Sequence, residues 1–146
     1  MKSNIHFSSD QLLQYYSSHR QSWEELYPSE KLVFEKVFTE NNDMKNILDV
    51  GCATGGLGAA ISSKFFMDSY TGVDINKETI DWALKNRHLN IQAEFIAGDI
   101  QDKKFSKPFD MVSSLSCADW NIETNKIIAS CWDHVKSGGY FIISLR

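Results

Sequence analysis

Residues 47–58 read Ile47-Leu48-Asp49-Val50-Gly51-Cys52-Ala53-Thr54-Gly55-Gly56-Leu57-Gly58, and this stretch decides the fold. Ile47 to Val50 is a short apolar run around one acid, as in a strand buried on both faces. Four glycines in the next eight positions let the backbone turn sharply and approach a ligand closely. A helical stretch follows, from about Leu57 to Phe66. Strand, Gly-rich turn and helix in that order open a parallel sheet whose ligands bind beyond the C-terminal ends of the strands.

Downstream the same alternation repeats. Tyr70 to Asp74 reads as a second strand, and Asn76 can cap a helix running to about Arg87 with Ile80, Ala83 and Leu84 inward. Phe95 to Ala97 lies on a third strand and Phe109 to Leu115 forms a fourth. Asn121 could cap a helix carrying Ile128, Trp132 and Val135, before a turn at Ser137-Gly138-Gly139 and a fifth strand from Tyr140 to Leu145. Near-continuous apolar strands alternating with helices imply an α/β fold, its sheet covered on both faces. Upstream, residues 1–44 read as helix only. Ser8-Ser9-Asp10 offers caps before Leu12, Leu13, Tyr15 and Tyr16. Pro28 suits the first turn of a second helix with Leu32, Val33, Phe34, Val37 and Phe38 on its apolar side, ended by Asn41-Asn42-Asp43. The expected organisation is one domain, with residues 1–44 a helical segment and 45–146 the core.

The chain has 146 residues, 42% hydrophobic and 12% aromatic, enough for one core and too few for two ordinary domains. Its net charge of −4 gives no general attraction for phosphate backbones or anionic lipid, which argues against nucleic-acid and membrane-surface partners. No apolar run approaches the ~18 residues of a membrane span, and the first residues lack a secretory signal. The expected location is the cytoplasm. Cys52, Cys117 and Cys131 are odd in number and lack zinc-site spacing, and the four histidines are scattered, so no metal is expected.

Three acids mark the strand ends: Asp49, then Asp74 and Asp99, each 25 positions after the last. A Gly-rich turn or a strand-end Asp alone is weak, because such an Asp often only caps the next helix. In order, within one sheet, they indicate an adenosine-containing ligand, since an acid after the second strand can accept both ribose hydroxyl protons. The spacing Gly51, Gly55, Gly58 superficially fits a nicotinamide-dinucleotide loop. Yet Asp49 lies two residues before the first glycine, and residues 49–61 hold no Lys or Arg. A fixed carboxylate disfavours an anionic pyrophosphate and favours a cation, which points to S-adenosylmethionine.

The run Ile47 to Gly55 closely resembles the first motif of class I S-adenosylmethionine-dependent methyltransferases. Val73-Asp74-Ile75 looks like their second, Gly98-Asp99-Ile100 the next, Pro108 to Val112 the start of their fourth strand, and Val135 to Tyr140 the turn before their fifth. The resemblance covers about residues 45–146 and implies a Rossmann-like three-layer sandwich with strand order 3-2-1-4-5. It implies that Asp49 and the backbone of Gly51, Cys52, Ala53 and Gly55 line the methionine part of the cofactor. Asp74 would hold the ribose and Ile75 pack on the adenine, with Asp99 on the adenine amino group beside Ile100. Ser116 and Cys117 would border the methionine part and the substrate. Ala53 departs from the glycine of many members. The N-terminal helices, residues 1–44, would form a lid and supply Tyr15, Tyr16, Arg20 and Trp23, with Arg20 on the cofactor's carboxylate. His19, Asp119 and Trp120 could reach the substrate, and no catalytic base is assigned.

The Asn/Asp-Pro-Pro-aromatic signature of amino-methylating nucleic-acid enzymes and the Pro-Cys nucleophile of cytosine-C5 enzymes are both absent. The expected acceptor is therefore an O or N nucleophile on a small molecule. A non-catalytic cofactor-binding or partner module is the alternative; an NAD(P)-dependent oxidoreductase ranks below it, lacking a Tyr-x-x-x-Lys pair. Family members usually continue past strand five with a helix and two more strands. The apolar edge Tyr140 to Leu145 is thus expected to mark either a missing C-terminal segment or a homodimer contact.

Overall fold

The computed structural model describes residues 10–145; the expected caps Ser8 and Ser9 lie outside them. Two helices come first, α1 (Asp10–Ser18) and α2 (Pro28–Glu40), with Pro28 in the first turn of α2 as expected. The sheet then alternates with helices: β1 (Asn46–Val50), α3 (Gly56–Ser62), β2 (Ser69–Asp74), α4 (Lys77–Asn86), β3 (Gln92–Ala97), β4 (Phe109–Leu115), α5 (Thr124–Asp133) and β5 (Val135–Ser144). The five strands lie in the order β3-β2-β1-β4-β5, every pair parallel. This is the expected Rossmann-like sheet. In the register, Asp49 sits opposite Gly72 on one side and Ser113 on the other, and Asp74 opposite Ala97.

Strand pleating sorts the core into two layers. Ile47, Tyr70, Met111 and Ile142 meet Phe34, Val37 and Phe38 of α2, Ala60 and Ile61 of α3, and Ile80 and Ala83 of α4. Leu48, Val50, Val73 and Val112 face the other way, onto Ile127 and Cys131 of α5. The Asn76 side chain accepts from the backbone N–H groups of Glu78 and Thr79, which caps α4 as expected.

Several inward assignments are corrected. Leu84 is 60% exposed, Trp132 64% and Val33 41%, because each lies one step round its helix from a buried neighbour, and Leu32 is 69% exposed, two positions from Phe34 on the opposite face of α2. On α5 the inner pair is Ile127 and Cys131, with Trp132 turned toward the edge of Phe141. α3 stops at Ser62, leaving Phe65 to stack on Phe38 while Phe66 is exposed. The Asn121 side chain donates to the carbonyls of Cys117 and Ala118, closing the 3-10 turn Ala118–Trp120 instead of starting α5. β5 begins at Val135 and passes through Ser137-Gly138-Gly139 with a register shift against Phe109 and Met111, so the expected turn is an irregularity inside the strand.

Candidate functional site

A cavity of about 410 Å³ opens at the C-terminal ends of β1, β2 and β4 and is roofed by α1 and the segment after it. Of the sequence-selected residues, Asp49, Gly51, Cys52, Ala53, Asp74, Ile75, Asp99, Ile100, Ser116 and Arg20 line it. Gly55 does not: at φ +77° it precedes α3, and a Cβ there would strike the Phe95 ring. Cys52 contributes backbone, its thiol packing over Gly72 in the core.

The loop after β1 is drawn tightly over β2. The Gly51 and Cys52 N–H groups both donate to the Val73 carbonyl, at 2.7 and 3.2 Å. Gly51 has φ +79°, and a Cβ there would sit 2.6 Å from Cys117 Cβ and overlap its sulfur. Ala53 holds φ +48° and donates its N–H to Asp74 Oδ2 at 2.8 Å. The other non-glycine residues with positive φ are Arg20 and Ser116, so all three found among the described residues stand on the cavity wall. Strain kept at one place is the mark of a working site. Opposite outcomes are expected at two neighbouring positions. Ala53→Gly relieves a left-handed alanine and should raise Tm by about 2–4 °C. Gly51→Ala should lower Tm and abolish ligand binding, since φ and the Cys117 contact both oppose a side chain. Thermal melts with and without ligand check the pair.

The acids differ in what holds them. Asp49 is buried, and its carboxylate accepts from Tyr70 Oη at 2.5 Å and Ser113 Oγ at 3.1 Å. Burial pushes its carboxyl up to about 6 despite those bonds, with nearby Asp74 adding to the rise and Arg20 opposing it. Asp74 accepts from the N–H groups of Ala53 and Asn76, both at 2.8 Å, and burial raises its carboxyl against those two bonds. Asp99 Oδ1 accepts from Gln101 N–H at 2.9 Å, so this acid also caps the 3-10 turn Ile100–Asp102. Burial pushes the Cys117 thiol up to about 12, which keeps it protonated at neutral pH.

The roof is built from residues the sequence reading only partly found. Tyr15, Tyr16 and Leu12 of α1 line the cavity with Trp120, whereas Trp23 is buried in the core against Phe65. His19 is outside the wall, stacked on Tyr15. Arg20 is partly committed. Its Nη2 donates to both Glu30 oxygens at 2.9 Å and its guanidinium lies over Tyr27, while the buried Nη1 has no hydrogen-bond partner. Gln21, Tyr27 and Arg87, unmarked by any motif, complete or brace the roof with Thr54, which lies in the first motif without an assigned role. Arg87 Nε donates to the Thr54 carbonyl at 3.0 Å, and Arg87 Nη2 to Gln21 Oε1.

With that geometry in place, a family model described as a methyltransferase domain matches residues 47–139. The fatty-acid O-methyltransferase of Mycolicibacterium smegmatis is 31% identical over 99 residues, 67% of this chain and 36% of that one. The malonyl-[acyl-carrier protein] O-methyltransferase of Halalkalibacterium halodurans is 26% identical over 118 residues, 78% of this chain and 44% of that one. The chain thus spans well under half the length of these two relatives. Among solved structures, the SAM-bound amino pentose methyltransferase CalS10 of Micromonospora echinaspora superposes with TM-score 0.70 at 18% identity, over 100% of this chain and 59% of that one.

Proposed function

The chain belongs to the methyltransferase-domain family, class I and S-adenosylmethionine-dependent, and from that premise we propose that its cavity binds S-adenosylmethionine and directs methyl transfer to an oxygen or nitrogen of a small molecule. The observation that carries this reading is the charge of the described wall, where Asp49, Asp74 and Asp99 face a single cation, Arg20. Such a wall favours a cationic ligand and disfavours a pyrophosphate. The chain fits the cofactor in shape as well, since bare Gly51 leaves backbone rather than side chain on the floor.

When bound, S-adenosylmethionine supplies an electrophilic methyl group on a positively charged sulfur. Arg20 Nη1, buried and unpartnered, would take the cofactor's carboxylate, and Asp49 would compensate its positive charge. Asp74 would accept from the ribose hydroxyls. Ile75 and Ile100 would enclose the adenine, with Asp99 beside its amino group. The backbone of Gly51, Cys52 and Ala53 would shape the methionine end, with Ser116 at its border. In this reading the lid expected over residues 1–44 narrows to α1 and the segment after it, since α2 packs into the core, and water exclusion and alignment supply the catalysis.

An oxygen acceptor of acidic type is favoured by its chemistry and by the apolar part of the wall, not by the wall's charge. Leu12, Tyr15, Tyr16, Leu115 and Trp120 offer apolar and aromatic contact to an acceptor's body. A carboxylate enters already ionised at neutral pH, so its attack on the methyl carbon needs no proton removed. The O-methyltransferases among the relatives, named for a fatty acid and a malonyl group, support that choice. Cys117, protonated at neutral pH, has no covalent part.

The test is a thermal shift with S-adenosylhomocysteine, followed by transfer of labelled methyl groups to panels of carboxylic acids, phenols and amines. Stabilisation and label on acids are expected. Stabilisation by a nicotinamide dinucleotide instead would overturn the assignment, and binding without transfer to any panel would count against these acceptors and favour a cofactor-binding or partner module.

A further inference from the structure

The helix that roofs the cavity is only partly packed. α1 has half-buried Leu12, Leu13 and Tyr16 but no fully buried residue, and a nine-residue helix is marginal by itself. A closed ring of hydrogen bonds fastens its C-terminal end. Thr54 Oγ1 and Gln21 Nε2 both donate to the Tyr16 carbonyl. Gln21 Oε1 accepts from Arg87 Nη2, and Arg87 Nε donates to the Thr54 carbonyl at 3.0 Å, which closes the ring. Gln21 Nε2 also reaches the His19 carbonyl. Gly56 allows the approach, because a Cβ there would collide with the Arg20 carbonyl. Three distant parts of the chain meet here: the roof, the loop after β1 and the end of α4.

Arg87 is the ring's only charged member. Its own backbone is fixed by donation to the Ala83 carbonyl at 2.8 Å, and its guanidinium lies 5.3 Å from the Trp82 ring. It does not reach the cavity, whereas Gln21, Thr54 and Tyr16 do. We propose that Arg87 is a positioning residue that latches the α1 roof to the Gly-rich loop and thereby sets how long a bound cofactor is retained. The retention half of this rests on the cofactor reading above; the latch half does not.

Hydrogen exchange of the ligand-free protein tests the latch, and stopped-flow dissociation of S-adenosylhomocysteine tests retention. Arg87→Ala should speed exchange of the α1 amides and ligand release by about tenfold each, the equivalent of roughly one lost charge-assisted hydrogen bond. Exchange in β1 and β4, and the association rate, should stay unchanged. Arg87→Lys, able to keep one of the two bonds, should fall between. Gln21→Ala should reproduce the effect, and Gln21→Ala with Arg87→Ala should be no worse than either alone, because they break one ring. If Arg87→Ala does not fold, Arg87→Lys and Gln21→Ala decide the matter. α1 exchange within twofold of wild type, or fully additive effects, would overturn the latch. Accelerated α1 exchange with unchanged ligand release would overturn retention, while a wild-type protein that binds no S-adenosylhomocysteine would sink the cofactor reading and leave the exchange result standing.

Discussion

Replacing Asp74 with alanine is expected to weaken S-adenosylhomocysteine binding by at least about 100-fold. The reason is a count of lone pairs. A carboxylate offers roughly four acceptor positions, and two of Asp74's are taken by the Ala53 and Asn76 N–H groups. Two remain on a residue that lines the cavity, the number a ribose diol needs. Two charge-assisted bonds, at about 1.5–3 kcal/mol each, account for the 100-fold even at their lower bound. The substitution also strips the partner from the Ala53 N–H, in a loop already held at positive φ, so Tm should fall as well. Asp74→Asn keeps the shape but has one acceptor oxygen, which sets an NH2 group against one of the backbone donors and should give an intermediate loss. Calorimetric titration separates loop damage from ribose contact if it includes an analogue lacking both ribose hydroxyls. Wild type should bind that analogue weakly, and Asp74→Ala should bind it no worse than the parent ligand. Equal affinity of wild type and Asp74→Ala for S-adenosylhomocysteine would remove Asp74 from the role.

What was legible in the sequence was local or periodic. The parallel sheet followed from the alternation of elements and its strand order from the family resemblance, and the Asn76 cap and the turn at Pro28 are decided within four residues of themselves. The cavity's floor was legible too, because Asp49, Asp74 and Asp99 each stand within two residues of a strand's C-terminal end and neighbouring strands of a parallel sheet bring their ends together. The errors have one physical character. Val33, Leu84 and Trp132 are apolar and adjacent to buried residues, and a helix turns by 100° per residue, so proximity in sequence does not decide which of two neighbours faces inward. Gly55 shares a loop with Gly51 yet answers to Phe95 on β3. Arg87 and Glu30 were invisible because their partners lie 33 and 66 positions away for Arg87 and 10 away for Glu30, and no spacing rule joins them. Trp23 read as a roof residue from its neighbours Tyr15, Tyr16 and Arg20, but the 3-10 turn Trp23–Glu25 redirects the chain and drops its ring onto Phe65.

Asp49 should make binding and stability respond to pH in opposite directions. Its carboxyl titrates at about 6 in the folded chain and near 3.9 when unfolded. A carboxyl raised on folding favours the protonated native state, so its stabilising contribution is full below pH 4 and is lost as pH rises to 6, on the order of 3 kcal/mol. Above 6 the native protein carries a buried carboxylate held by Tyr70 and Ser113, and that charge is what a sulfonium and an ammonium would find. Affinity for S-adenosylmethionine should therefore rise about tenfold between pH 5 and pH 7, with proton release on binding near pH 6. The ligand's own carboxylate and amine do not titrate in this window. Other groups move the absolute stability curve; Asp110, held low by Lys136 and the Asn46 and Lys45 N–H groups despite partial burial, pulls it the other way in acid. The decisive quantity is thus the difference between wild type and Asp49→Asn. Denaturant melts from pH 4 to 7 should show wild type losing stability relative to the variant, while titrations over the same range should show wild type gaining affinity relative to it. A variant that tracks wild type in both would mean that Asp49 stays in one protonation state throughout, and its charge would then have no part in holding the cofactor.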